Sequence, residues 1–223
     1  MPAMTRRSSR PRRRQRGTGG APRRAGHGKL RIIGGDFRRR LLPVLDSPGL
    51  RPTPDRVRET LFNWLTTATP GARVLDLFAG TGALGLEALS RGARRACFVE
   101  RDGGVADALA DNLATLGAGE RARVVTADAL AFLAGEPTPC SLVFLDPPFR
   151  QDLVAPCCLA LETGWLTEDA FIYLEAESEL VPRVPDHWQL HREVRAGDST
   201  GRLYRRQGQS GTGSPDEGYR RWR

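Results

Sequence analysis

The chain reads as an α/β domain built on a mostly parallel, seven-stranded sheet with helices on both faces. Three observations predict this fold. Strand-like and helix-like segments alternate from residue 73 to 175, the pattern of strand–helix–strand crossovers in a parallel sheet. A glycine-rich loop at 79–85 joins the first of these strands to its helix. An acid stands at or just beyond the end of four successive strands: Asp76, Glu100, Asp128 and Asp146.

Each element has a local reason. Residues 1–28 are Arg, Gly, Ser and Pro with almost no apolar side chains. Such a segment cannot bury enough surface to offset the entropy of ordering, so it is expected to be disordered. Apolar runs at 30–33 and 41–44 are expected to pair as a hairpin, with Arg38, Arg39 and Arg40 near its turn. Arg51-Pro52-Thr53-Pro54 is a rigid extended stretch, because proline fixes its own φ and restrains the residue before it. A helix follows over 55–65, with Val57, Leu61, Phe62 and Leu65 on one face. Phe62 and Trp64 are read as core. Strands come next at 73–78, 95–99, 122–126, 141–145 and 170–175, with helices at 83–91, 105–116, 129–133 and 153–161 between them. The last strands, 189–195 and 201–206, are expected to form an antiparallel pair. Residues 208–223 are again rich in Gly, Ser and Arg and expected to be disordered. The chain thus divides into a basic arm (1–28), a hairpin-and-helix extension (29–66), an α/β domain (67–207) and a tail (208–223).

A length of 223 residues and a hydrophobic content of 39% support one such domain with a real core. No apolar run is long enough to span a membrane, and the N-terminus lacks the apolar stretch of a secretory signal; the cytoplasm is the expected location. Cys97, Cys140, Cys157 and Cys158 have no C-x-x-C spacing and are read as reduced packing residues. His27, His187 and His191 are scattered, so neither a metal site nor a histidine-based triad is expected. The net charge of +8 is uneven: residues 1–40 hold 14 Lys or Arg against Asp36 alone, which is +13 and leaves −5 for the remainder. A basic arm on a mildly acidic body favours a polyanionic partner such as nucleic acid. The plainer alternative is a solubilising tail in an arginine-favouring chain, whose one lysine is Lys29.

Gly80, Gly82 and Gly85 spell G-x-G-x-x-G between a strand and a helix. That pattern can cradle a pyrophosphate at a helix N-terminus, but the neighbouring acids point to S-adenosylmethionine instead. Asp76 would repel a pyrophosphate, whereas it can orient a water or the methionine ammonium. Glu100, about twenty residues beyond the loop, can grip both ribose hydroxyls, a feature that fits NAD equally. Asp128 can accept from the adenine amine or, with Ala129 after it, simply cap a helix. Asp76, Phe78, Gly80, Gly82, Glu100, Asp128 and Ala129 are therefore the candidate cofactor site, in the crevice beyond the carboxyl ends of the strands.

Asp146-Pro147-Pro148-Phe149 separates the two cofactors. It follows the apolar run 142–145, which reads as a buried strand. A carboxylate, two prolines without N–H and an aromatic ring can hold a flat ring that bears an exocyclic amine. Phe149 stacks on the ring, while Asp146 and the Pro147 carbonyl accept from the amine. An amine between two acceptors turns its lone pair toward an electrophile, which is the chemistry of amino-group methylation. An NAD enzyme has no need of it. Asp146, Pro147, Pro148 and Phe149 are the candidate catalytic residues. Guanine N2 and adenine N6 suit this loop alike.

The glycine loop, Glu100 and the Asp-Pro-Pro-Phe loop together resemble class I, Rossmann-like S-adenosylmethionine methyltransferases of the amino-group type. Arg31-Ile32-Ile33-Gly34-Gly35, Asp46-Ser47-Pro48-Gly49-Leu50-Arg51-Pro52-Thr53 and the stretches 55–65 and 78–91 resemble, more narrowly, the bacterial RsmD family of 16S ribosomal RNA guanine-N2 methyltransferases. The likeness spans about residues 30–206 and leaves out the arm and the tail. It implies S-adenosylmethionine as methyl donor and, as substrate, 16S rRNA in the 30S subunit or its assembly intermediate. It also implies that the segment 51–58 lies over the cofactor. Arg51, Thr53 and Arg56 then become candidates for the cofactor carboxylate or the RNA backbone, beside Arg38, Arg39 and Arg40 for RNA. Arg56 and Arg58 could equally form a solvated helix face with Glu59. A monomer is expected. Other readings are an adenine-N6 methyltransferase on nucleic acid, a glutamine-N5 protein methyltransferase, a non-catalytic RNA-binding assembly factor, and an NAD oxidoreductase.

Overall fold

The computed structural model describes residues 27–45 and 53–208. In chain order the elements are β1 (His27–Arg31), β2 (Leu41–Leu45), α1 (Asp55–Trp64), β3 (Arg73–Asp76), α2 (Ala83–Ser90), β4 (Arg95–Glu100), α3 (Gly103–Thr115), β5 (Ala122–Thr126), α4 (Ala129–Leu133), β6 (Cys140–Leu145), α5 (Val154–Leu161), β7 (Leu166–Glu177), β8 (Trp188–Ala196) and β9 (Ser199–Arg206). Seven strands form one sheet in the order β5-β4-β3-β6-β7-β9-β8, and β1 and β2 form a separate hairpin. Strands β3 to β7 pair in parallel, while β9 runs antiparallel to both β7 and β8. The fold is thus the expected class I methyltransferase architecture.

The central strands of the sheet are buried on both faces, and residue parity assigns each of their side chains to a face. Val74, Phe98, Leu142, Phe144 and Tyr173 join the core formed with the hairpin and helices α1, α2 and α3. Leu75, Val99, Val143, Leu145, Ile172 and Leu174 join the opposite core with α4 and α5. This explains the unbroken apolar run in β6, where every residue from Leu142 to Leu145 is buried. It also places the acids. Asp76, Glu100, Asp146 and Glu175 share the parity of the first group, so they lie on the hairpin side at the carboxyl ends of β3, β4, β6 and β7.

The hairpin is fastened to α2 rather than merely resting on it. Ile33 and Gly34 donate their N–H groups to the Glu87 carboxylate, both at 2.8 Å. Asp36 and Phe37 donate to the Ser90 carbonyl and hydroxyl at 2.8 and 2.9 Å. Gly35 sits at φ +72, and a Cβ there would fall 1.8 Å from the Ser90 carbonyl oxygen. Only glycine meets both demands, which gives the Ile-Ile-Gly-Gly run a packing reason.

Several expected boundaries move. Strand β1 begins at His27, so residues 27 and 28 belong to the hairpin and not to a disordered arm. Strand β3 stops at Asp76 instead of 78, because Leu77 and Ala79 donate to Phe144 on one side and Val99 on the other as the chain peels away. Strand β7 runs from Leu166 to Glu177, longer than 170–175, since it pairs with β6 at one end and with β9 at the other. Trp64 is half-buried against the core, whereas Phe62 is fully inside it. Arg58, one possible member of a solvated face, is 1% exposed. It donates to the carbonyls of Thr53 and Arg31 and pairs with Asp55 and Glu87. Burial of α1 against the hairpin and α2 turns that helix face inward. All four cysteines are free, three of them buried and Cys97 half-buried. No helix among the described residues is long and apolar enough to cross a membrane.

Candidate active site

The chain runs outward from β3 through β4 to β5, then crosses to β6 on the other side of β3. In open α/β sheets the crevice at such a reversal is where ligands bind. Asp76 and Asp146 flank it, with Glu100 and Asp128 beyond on one side and Glu175 on the other.

Asp76 lies beneath the glycine loop, 3% exposed. Its Oδ2 accepts the Gly85 N–H at 2.9 Å, which pins the start of α2. A Cβ on Gly85 would meet the Phe98 ring at 2.2 Å and Asp76 Oδ2 at 3.0 Å, so this glycine brings the helix down onto the sheet. Burial pushes the Asp76 carboxyl up to about 7; the Gly85 N–H opposes the shift and the Glu100 charge adds to it. Gly80 and Gly82 lie in the loop with φ of 49 and 76. Glu100 accepts from Gly80 N–H at 2.9 Å and from Asp102 N–H at 2.8 Å. Phe78 is half-buried against the α4–α5 core.

Asp128 is exposed and caps α4 through Oδ1, which accepts from Leu130 and Ala131. The capping alternative is therefore realised, and Oδ2 remains for a ligand. Ala129 is buried as the first residue of that helix. Thr53 is buried, and its carbonyl accepts from Arg58 at 3.2 Å. Arg56 is exposed on α1, and Arg38, Arg39 and Arg40 are exposed at the hairpin turn. Arg51 falls outside the described residues, as do the arm to residue 26 and the tail from 209.

These features fit S-adenosylmethionine better than a dinucleotide. The Gly80 N–H, which a pyrophosphate would need, is already given to Glu100. The groups along the crevice are carboxylates, acceptors suited to hydroxyls, an ammonium and a sulfonium rather than to phosphate.

Asp146 is half-buried at the end of β6, beside buried Pro147 and exposed Pro148. Among the described residues no hydrogen bond or ion pair reaches its carboxylate. Burial, then the charges of Glu175 and Asp76, hold its pKa well above the usual carboxylate range. Phe149 is 43% exposed, so its ring is available for stacking.

Glu175 and Tyr173 were not singled out from the sequence. The β6–β7 register pairs Phe144 with Tyr173 and Leu145 with Leu174, and its continuation sets Asp146 opposite Glu175. Glu175 accepts from the Tyr173 hydroxyl at 3.1 Å and the Ser199 hydroxyl at 2.8 Å. One signal was present: Glu175 ends the strand expected over 170–175, as the four recognised acids stand at or just beyond the ends of theirs. His187 lies 3.0 Å from Glu162 and His191 stacks on Phe171, both away from this crevice.

Comparison with known proteins gives the same picture. A profile of the family described as Conserved hypothetical protein 95 matches residues 30–205. Ribosomal RNA small subunit methyltransferase D of Escherichia coli K12 is 55% identical over 190 residues, covering 84% of this chain and 96% of that protein. The solved structure of yhhF from Escherichia coli superposes with a TM-score of 0.76 at 53% identity, over 82% of this chain and 100% of that one. An RNA methyltransferase from Salinibacter ruber, solved in complex with S-adenosyl-L-homocysteine, shares the fold at 15% identity, with a TM-score of 0.57 over 74% of this chain and 99% of that one.

Proposed function

The chain belongs to the family described as Conserved hypothetical protein 95, the RsmD family, and on that premise we propose that it methylates the exocyclic N2 amine of a guanine in small-subunit ribosomal RNA. S-adenosylmethionine is the methyl donor. The observation that carries the reading is Asp146: a half-buried carboxylate without a hydrogen-bond or ion-pair partner among the described residues, at the strand end beside two prolines and an exposed phenylalanine. The choice of guanine N2 over adenine N6 rests on the family. The RNA acted on is taken to be the 30S subunit or its assembly intermediate, met by a monomer.

Bound S-adenosylmethionine supplies a methyl group on a positively charged sulfur, which the carboxylates of the crevice complement. The protein's own contribution is mainly position and lone-pair geometry. The target base leaves its stack, and Phe149 replaces the lost stacking surface. Asp146 and the Pro147 carbonyl accept from the amine. This draws the nitrogen out of conjugation with its ring and aims its lone pair at the methyl carbon. Donation from the amine favours the ionised form of Asp146. Once the nitrogen is methylated, its surplus proton can pass to Asp146, a better base than an ordinary carboxylate because its pKa is raised. Glu100 and Asp128, the latter through Oδ2, hold the ribose and adenine of the donor in this reading.

The test is methyl transfer from tritiated S-adenosylmethionine to 30S particles lacking the modification, with naked 16S RNA and genomic DNA in parallel. Digestion should yield labelled N2-methylguanosine. Label in N6-methyladenine would overturn the base, and label in DNA the substrate. No label with the cofactor still bound would favour an assembly factor.

A further inference from the structure

A cleft of about 580 Å³ lies between the segment after β6 and the segment after β7, and it continues the amine site, sharing Pro147 and Pro148 with it. Arg150, Glu177, Val181 and Arg183 also line it. None of these four is taken up by the methyl-transfer chemistry above. Val181 is 84% exposed and Leu180 beside it 38%, a costly display of apolar surface at the cleft. Neither guanidinium forms an ion pair among the described residues. The Arg150 N–H donates to Glu177 at 2.5 Å, and Arg150 and Asp152 hold left-handed backbone, with φ of 60 and 52. The loop is therefore set in an uncommon conformation that presents Arg150 to the cleft.

We infer that this cleft seats the nucleotide adjoining the target along the RNA strand, with Arg150 and Arg183 against its phosphates and Leu180 and Val181 under its base. The inference rests on the RNA substrate proposed above. A base held at Asp146 and Phe149 stays covalently joined to its neighbours, so one of them must lie a single phosphodiester link from Pro147 and Pro148. The cleft opens there. Its size falls within the roughly 300–1,000 Å³ of small-ligand sites. Its charges balance, two arginines against Asp152 and Glu177. That balance suits one nucleotide with its phosphates at the cations and its ribose and base edges at the acids, rather than a run of phosphates. Glu177 offers an acceptor for a 2′-hydroxyl, which RNA has and DNA lacks.

Two experiments test it. In the double variant Val181→Ser, Arg183→Ala, KM for the 30S particle should rise about tenfold through lost apolar contact with the base and one lost phosphate contact. KM for S-adenosylmethionine and the melting temperature should stay unchanged, since both side chains are exposed. An unchanged KM for the particle would overturn the assignment. With photoreactive benzoylphenylalanine in place of Val181, irradiation on the particle should cross-link the chain to RNA. A cross-link to a ribosomal protein, or none, would overturn it. Should the wild type transfer no methyl to the particle, the proposed substrate itself fails. Should it transfer methyl while the double variant matches it, the cleft alone falls.

Discussion

Glu87 and Asp146 are two acids withdrawn from water in one domain, with opposite surroundings. Glu87 is fully buried and takes two backbone N–H groups, the Arg91 guanidinium at 2.7 Å and the Arg58 guanidinium at 3.7 Å. It fastens the hairpin and α1 to α2. Asp146 takes nothing from the described residues and faces other acids. A buried charge is costly unless paired. The chain satisfies that requirement at the joint and leaves it unmet, among the described residues, at the acid proposed as the reactive acceptor. The difference teaches that a partnerless acid points to function, while a fully partnered one points to assembly.

Exchanging the two fates would test this contrast most sharply. Asp146→Ala should lower methyl transfer at least ~100-fold, since the amine loses an acceptor and its orientation. Thermal unfolding should show a melting temperature unchanged or raised, and a folding defect in this variant would break the comparison. Glu87→Ala should do the reverse. It removes the acceptor of the Ile33 and Gly34 N–H groups and the carboxylate beside Arg91 and Arg58, at a cost of about 3–5 kcal/mol in urea unfolding. Methyl transfer per folded molecule should fall far less than in Asp146→Ala.

Smaller effects sharpen the picture. Asp146 must be ionised to accept from the amine, so the rate should rise with pH through its elevated pKa. Burial is the first cause of that elevation and the Glu175 charge the next. Glu175→Gln should therefore move the inflection of the pH–rate profile to lower pH; a profile that does not move would sever Glu175 from the site. The smallest effect concerns Asp76, whose folded pKa of about 7 stands above its ordinary 3.8 because it is buried. A raised carboxyl contributes stability that is fully present below the unfolded pKa and lost as pH rises through the folded one. Asp76→Asn stays neutral throughout. Its melting temperature should decline less than the wild type's between about pH 4 and 7. Parallel declines would contradict the buried setting of Asp76.

How much of this was legible in the sequence depends on how local the signal is. The helix over 55–65 and the strand over 141–145 follow from periodicity and apolar runs, and their observed ends differ by a residue at most. The glycine loop and Asp146-Pro147-Pro148-Phe149 are contiguous, so backbone constraint, acceptor and ring could be read together. The acids at strand ends were legible because every parallel strand delivers its last residue to the same edge.

What the sequence by itself determined is the element order, the parallel sheet and the identity of the groups beyond its strand ends. The tertiary structure alone decided which of those groups are spent and which stand free. Asp128 is half-spent on a cap and Asp76 is drawn under the glycine loop, while Asp146 is left without a donor among the described residues. It also decided that Arg58 and Glu87 lie inside, and that the β6–β7 register sets Glu175 beside Asp146. The physical reason is distance along the chain. Glu87 meets Ile33 across 54 residues, and Glu175 nears Asp146 only because β7 lies beside β6. Burial and pairing across such separations are properties of packing, and no local pattern encodes them.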